Sequence, residues 1–262
     1  MRQEITLTRD MRERVTEACR ILYAHGQEHF YLGHVSAREA PGSDRFWVKP
    51  TGMGLGEVKP DDLVLLDLDG QRISGDRPIH HEMPIHTEIY RSRPDVNCVV
   101  HTHPFHAAAF AASTADFKMI SQDSILFANG FGWYDSAILV VTPEQGRGVA
   151  QALGEHRLVV LRNHGIAAVD DTIESATFLA VSFDRSLQLQ AMATSLGPIR
   201  EIAPEEVAVM NEYFGASYGG RVEVTFEYLL RQADARMGRP AAEPPAEWPA
   251  GQVSGIPVSP SR

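Results

Sequence analysis

The chain has 262 residues, 44% of them apolar, and a net charge of −10, enough for one α/β domain with a substantial core. An acidic surface of this kind, with a pI near 5.5, offers no counter-field to nucleic acid or an anionic membrane, and no apolar run approaches the ~20 residues of a bilayer span. Met1-Arg2-Gln3-Glu4 leads into polar sequence without a signal-peptide core, which predicts a cytoplasmic protein, and Cys19 and Cys98 sit in apolar patterns expected of reduced core thiols.

Met11, Val15, Ala18, Cys19, Leu22 and Tyr23 recur at helical spacing and predict an amphipathic helix over residues 9–25, with Thr8 as its N-cap. Short strands follow at 35–38, 46–49, 63–67 and 71–73, and Asp69-Gly70 marks a hairpin between the last two. A helix over 83–91 carries Pro84 in its first turn, where a missing N–H costs little, and places Glu82 at its mouth. Beyond it the pattern predicts a strand at 97–100, a small-residue helix at 105–112 and a strand at 138–141. A helix at 143–153 opened by Thr142, a strand at 158–162 and a longest helix at 171–193 complete the series. No clean βαβ repeat emerges, so the expected fold is α/β: a single domain with one mixed, largely antiparallel sheet flanked by helices. After residue 195 the pattern weakens to short helices at 205–210 and 225–231. From Gly238 the composition turns to Pro, Ala, Gly and Ser, which divides the chain into a domain over 1–237 and a tail over 238–262, either a frayed terminus or, through Trp248, a segment docked on a neighbouring subunit. Gly52-Met53-Gly54-Leu55-Gly56 lacks the strand-turn-helix context of a phosphate loop and reads as a mobile turn.

The chemistry concentrates in three imidazoles. His101 and His103 follow the apolar run Val99-Val100, and His164 follows Leu161-Arg162-Asn163. On an extended segment the period of two points His101 and His103 to one face, and a third His can close a facial metal set with an open coordination position. Any one of the three alone is more often a hydrogen-bonded core residue. Glu82, just upstream, could be a fourth ligand, a general acid/base, or a charge favoured at a helix N-terminus. No nucleophile elbow surrounds Ser36, Ser121 or Ser124. His86 and Tyr90 read as packing, while His25, His29 and His156 read as solvent-facing. Trp133 and Tyr134 could cover a flat substrate or pack in the core.

Five segments, in order, carry a resemblance: Gly33-His34-Val35-Ser36-Ala37-Arg38, Lys49-Pro50-Thr51-Gly52, Glu82 through Asp95, His101-Thr102-His103 and Asn163-His164-Gly165. Over about residues 10–195 the chain resembles the class II aldolase/adducin family. The resemblance implies a three-layer α/β/α domain, one divalent metal ion per subunit (zinc, manganese, cobalt or iron) on His101, His103 and His164, and Glu82 as general acid/base. It also implies a small anionic substrate and a homotetramer with sites near subunit interfaces. The expected substrate contacts are His34, Ser36, Arg38, Thr51, Gly52, His80 and Asn163, Arg38 and Lys49 being local cations for an anion in an acidic chain; His80 and His81 are donors to a carboxylate or plain loop-surface residues, and adjacency to Glu82 favours His81 as a second catalytic group. Two departures matter. Members that cleave sugar phosphates usually carry Asn at the place of His34 and Ser-Ser at the place of His80-His81, and imidazoles there fill the phosphate pocket and change its donors. The chain in this respect looks like the family's decarboxylases of hydroxylated aromatic acids such as dihydroxyphthalates or hydroxypyridine dicarboxylates. The alternatives are a metal-dependent aldolase on a hydroxy-carbonyl or sugar-phosphate substrate and an iron-dependent oxygenase, which anaerobic assay separates.

Overall fold

The computed structural model describes residues 10–243. Its elements, in order, are α1 (Met11–Ala24), β1 (His34–Arg38), β2 (Arg45–Val48), β3 (Val64–Asp67), β4 (Arg72–Ser74), α2 (Met83–Ser92), β5 (Cys98–Thr102), α3 (Phe105–Ala111), β6 (Gly132–Tyr134), α4 (Pro143–Leu153), β7 (Leu158–Leu161), β8 (Gly165–Asp170), α5 (Ile173–Leu196) and α6 (Pro204–Arg236). The eight strands form one sheet in the order β4-β3-β2-β1-β5-β8-β7-β6. Its neighbours run antiparallel except β6 and β7, which are parallel. This is the mixed, largely antiparallel α/β sheet that the pattern predicts.

Strand alternation divides the core into two layers. Val35, Ala37, Cys98, Val100, Leu158, Val160, Ile166 and Ala168 face one side, where they meet Ala18 and Leu22 of α1, Ala107 and Phe110 of α3, Ala180 and Phe183 of α5, and Phe226 and Ala233 of α6. Phe46, Val99, Val159, Leu161, Ala167 and Val169 face the other, against Ile85, Ile89 and Tyr90 of α2 and Val149 and Leu153 of α4. At ~25 cal/mol per Å² of apolar surface, this two-sided burial dominates the stability and makes the central strands near-continuous apolar runs. The helices α2 and α4 approach so closely at Gly146 that an added Cβ would stand 2.8 Å from Glu88 Cγ and against the Pro84 carbonyl. That contact seats the first turn of α2, and with it Glu82.

Several local expectations meet the structure directly. Thr142 caps α4 in a capping box with Gln145. Asp69-Gly70 turns the β3–β4 hairpin, with Gly70 left-handed at φ 74° and the Asp67 carboxylate accepting from the Asp69 and Gln71 amides. Asp10 caps α1; the expected cap, Thr8, lies outside the described residues, as do Trp248 and most of the tail. Other expectations need correction. Residues 138–141 form no strand: of that apolar run only Val140 is buried, while Ile138, Leu139 and Val141 are exposed, and the strand of this region is β6. The strand β8 was not expected and stands beside β5 at the centre of the sheet. The two short helices after residue 203 are one continuous helix, α6, which at 33 residues exceeds α5 at 24. Gly215, Gly219 and Gly220 interrupt its sequence pattern, since glycine inside a helix costs ~1 kcal/mol. Tertiary contacts supply the difference: Arg14 of α1 pairs with Glu227 at 2.8 Å and with Glu174 of α5 at 3.0 Å, and Arg20 pairs with Asp234 at 2.8 Å. The turn 52–56 is not loosely held, because Leu55 is buried and the Glu57 carboxylate accepts from the Gly54 amide at 2.7 Å.

Among the described residues no helix is long and apolar enough to cross a membrane. Cys19 and Cys98 are free and buried, and burial pushes the Cys19 thiol up to about 12.

Candidate metal centre

The site opens where β5 ends. His101 sits on β5 directly opposite His34 of β1, and opposite Ala167 of β8 on its other side. His103 is two residues on, just past the strand, and shares the face of His101 as the period of two requires. His164 comes from the three-residue turn between β7 and β8. That turn explains its flanking residues: Asn163 adopts φ 55°, a left-handed conformation that Asn tolerates better than most side chains. A Cβ at position 165 would press on the Thr102 carbonyl and stand 2.8 Å from His103 Cδ2. Gly165→Ala is therefore expected to destabilise the fold by about 1–3 kcal/mol and to weaken metal binding by displacing His103. Thermal denaturation and metal titration of the variant measure the two effects.

Glu82 stands at the N-cap position of α2, yet its side chain makes no capping bond. The carboxylate turns instead into the His cluster: Oε1 lies 3.6 Å from His164 Nε2, and Oε2 lies 3.7 Å from His101 Nε2 and 4.0 Å from His34 Nε2. The Val140 amide donates to Oε1 at 3.4 Å, which gives the buried member of the 138–141 run its local role. One ligand atom from each of Glu82, His101, His103 and His164 falls within a set whose members all lie within 4.8 Å of one another.

The donor chemistry fits a divalent ion. His101 Nδ1 lies 2.9 Å from the Ile166 carbonyl, so Nδ1 carries the proton and Nε2 is left with a free lone pair. His101 Nε2 and His103 Nδ1 are both buried and without a hydrogen-bond partner, a costly state that a metal relieves. Burial first, and the neighbouring imidazoles next, hold His103 and His164 below the ordinary imidazole range, so both are neutral and able to ligate at pH 7. Burial raises the Glu82 carboxyl and the surrounding imidazoles, His101 first and then His164 and His103, lower it, and the balance holds the group below its usual range. It is a carboxylate at neutral pH.

The other expected site residues fall in different places. His34 and His80 are buried side by side with ring centroids 4.4 Å apart, and His34 also packs 4.8 Å from His101. His80 Nε2 lies 3.1 Å from the Pro50 carbonyl and 3.5 Å from Lys49 Nζ. The Lys49 ammonium is fully buried and donates to the Tyr31 and Pro50 carbonyls, and burial brings its pKa down to about 8. Thr51, in the same turn, donates its amide to the Pro78 carbonyl, and Gly52 is exposed. His81 is exposed, so the buried imidazole beside Glu82 is that of His80. Arg38 points away from the cluster: its guanidinium donates to the Val96 carbonyl at 2.8 Å, to the Tyr90 carbonyl at 2.7 Å and to the Ser43 carbonyl, and lies over the Tyr90 ring. It ties the C-terminal end of α2 to the sheet. Asn163 is exposed at the turn, where its side chain accepts from Arg162.

Three residues near the cluster escaped the sequence reading. His29 is exposed but sets its ring edge 5.5 Å from His103. His86 and Tyr90 are buried on α2 and join Ser36 and His34 in a hydrogen-bonded chain. The signal was present: residues 86 and 90 are four apart on a helix, and 34 and 36 two apart on a strand, so each pair shares a face.

A model of the Class II Aldolase and Adducin N-terminal domain matches residues 13–191. The chain belongs to this family. The meiotically up-regulated gene 14 protein of Schizosaccharomyces pombe (strain 972 / ATCC 24843) is 30% identical over 208 residues, covering 77% of this chain and 81% of the relative. A 3,4-dihydroxyphthalate decarboxylase of Arthrobacter keyseri is 30% identical over 219 residues, covering 78% and 88%. Among solved structures, L-fuculose 1-phosphate aldolase from Glaciozyma antarctica PI12 superposes with a TM-score of 0.77 at 24% identity, over 89% of this chain and 92% of that one, and so shares the class II aldolase fold. The family, its decarboxylase branch and the intact His/Glu cluster make the chain an enzyme of lyase type with a site able to hold a divalent metal.

Proposed function

We propose that the protein is a metal-dependent carbon-carbon lyase that decarboxylates a hydroxylated aromatic or heteroaromatic acid of the dihydroxyphthalate kind. The observation that carries this reading is the pair of buried imidazoles, His34 and His80, packed beside Glu82. Burial, with the charges of their neighbours behind it, holds both well below the ordinary imidazole range, so the wall they form is neutral at pH 7. Neutral imidazoles balance little of a phosphate dianion's charge, whereas a flat ring can lie against them. The decarboxylase relative of Arthrobacter keyseri supports the same direction.

A divalent ion on His101, His103 and His164, zinc or manganese by preference and cobalt or iron as alternatives, would supply Lewis acidity toward adjacent hydroxyl and carboxylate oxygens. The Glu82 carboxylate takes the proton of the ring hydroxyl and returns it to the ring carbon that bears the carboxylate. Carbon dioxide then leaves, the bonding pair passes back into the ring, and the ring oxygen regains a proton from solvent. His34 and His80 orient the ring and exclude water from the reacting carbon.

The reading extends to a homo-oligomer, a tetramer, with the site near subunit boundaries. Ile138, Leu139 and Val141 are exposed on either side of Val140, whose amide reaches Glu82, and such apolar exposure beside a site suits an interface. Light scattering on the purified protein gives the subunit number.

The chemical test is product analysis by mass spectrometry under nitrogen. Metal-reconstituted protein is offered hydroxyphthalates, hydroxypyridine dicarboxylates and sugar phosphates, with His103→Ala as control. Loss of carbon dioxide from an aromatic acid, absent in the variant, is the expected result. Cleavage of a sugar phosphate, or turnover only when oxygen is admitted, overturns the reading.

A further inference from the structure

Behind the cluster, between β1 and α2, four buried polar side chains are joined end to end. His34 Nδ1 lies 2.6 Å from His86 Nε2, His86 Nδ1 lies 2.6 Å from Ser36 Oγ, and Ser36 Oγ lies 2.8 Å from the Tyr90 hydroxyl. All four residues are at most 1% exposed. The free end of the chain, His34 Nε2, faces Glu82 Oε2 at 4.0 Å. Buried polar groups of this number persist only when satisfied.

Proton counting gives the chain a direction. With both imidazoles neutral, each ring carries one proton, so the His34–His86 and His86–Ser36 bonds must run together in one direction or the other. In one polarity Tyr90 donates to Ser36, Ser36 to His86 Nδ1, and His86 Nε2–H to His34 Nδ1, which leaves His34 with its proton on Nε2, aimed at the Glu82 carboxylate. In the reverse polarity His34 Nε2 is bare, and its lone pair confronts a carboxylate oxygen that can only accept. Inside a low-dielectric site that arrangement is repulsive. We propose that Tyr90, Ser36 and His86 are positioning residues that fix His34 as its Nε2–H tautomer, and that His34 through this N–H orients the Glu82 carboxylate for proton transfer. The part concerning proton transfer rests on the reading of Glu82 as the base; the tautomer does not.

The first test is solid-state 15N NMR of zinc-loaded protein labelled at histidine, with the His34 and His86 signals assigned by their loss in His34→Gln and His86→Gln. Expected are protonated Nε2 and unprotonated Nδ1 for both rings, and a switch or mixture of tautomers in Tyr90→Phe or Ser36→Ala. A protonated Nδ1 on His34 in the unsubstituted protein overturns the proposal. The second test is kinetic. Tyr90→Phe and Ser36→Ala, each retaining zinc and a cooperative melt, should lower kcat roughly 10- to 100-fold, the range seen for residues that orient active groups from behind. KM should change little, and the double variant should be no worse than either single one because both break the same chain. Additive losses, or kcat unchanged with the tautomer lost, overturn the orienting role. If no aromatic acid is turned over at all, the functional reading fails while the spectroscopic result still decides the tautomer.

Discussion

Glu82→Gln is expected to lower turnover by about 10^2- to 10^4-fold, the span usual for a general acid or base, while the protein keeps its metal. The structure removes one of the three roles open to this residue. A helix-capping charge would bond the first amides of α2, and Glu82 makes no such bond. Its oxygens lie instead 3.6 Å from His164 and 3.7 Å from His101, near enough to act on a group held by the imidazoles. Gln keeps the shape and one acceptor oxygen but loses the charge and the ability to carry a proton between substrate atoms. Metal content by plasma emission, measured beside kcat, distinguishes the remaining two roles: retained metal with lost turnover identifies the proton carrier. Metal lost in parallel with activity would make Glu82 a fourth ligand and remove it from the proposed proton path. His103→Ala should lose both together, since its buried Nδ1 has no partner among the described residues.

Much of this geometry is readable in the chain because strand periodicity and metal ligation make compatible demands. The run Val99-Val100-His101-Thr102-His103 states at once that a buried strand ends and that two imidazoles leave it on one face, and the structure has β5 ending at Thr102. Asn163 and Gly165 fit the same pattern, because a three-residue turn between antiparallel strands needs one left-handed residue and here allows no Cβ at its exit. The failures have equally physical causes. Residues 138–141 are apolar enough for a strand, but a strand needs a partner for its backbone, and this run lies beyond the end of β6 with only Val140 turned inward. The helix α6 is stabilised by α1 and α5 through Arg14, Arg20 and the buried Phe226, Leu229 and Leu230, none of which local propensity can register. Arg38 reads as a cation for an anionic substrate, but its guanidinium is occupied by the Val96 and Tyr90 carbonyls, both far away in sequence, and by that of nearby Ser43. That His80 and not His81 is the buried imidazole turns on one residue of register where the loop enters α2, a detail below what adjacency to Glu82 can resolve.

The largest effect expected on stability is acid unfolding of the metal-free protein between pH 6.5 and 5. His34, His80 and His86 are buried and held below the ordinary imidazole value of 6.5, in each case first by burial and then by their neighbours, other imidazoles for His34 and His86 and the Lys49 ammonium for His80. When pH falls through 6.5 the unfolded chain takes up protons at these positions and the folded one does not, so stability is intact above that value and is lost below it. Each group removes up to about 1.4 kcal/mol per pH unit once the unfolded imidazole is protonated, and in the metal-free protein His103 and His164 act in the same direction, against a total of about 5–15 kcal/mol for a domain. Asp170 acts in the opposite sense. Burial raises its carboxyl to about 6, so the folded state takes up that proton first and regains about 1 kcal/mol over the same interval. The net slope remains destabilising. Urea midpoints of chelator-treated protein should therefore fall steeply from pH 6.5 to 5, and His80→Gln should make the fall shallower. A midpoint flat across this window would mean that the imidazoles behind the cluster can ionise without unfolding the chain, and would remove the basis for describing that wall as neutral.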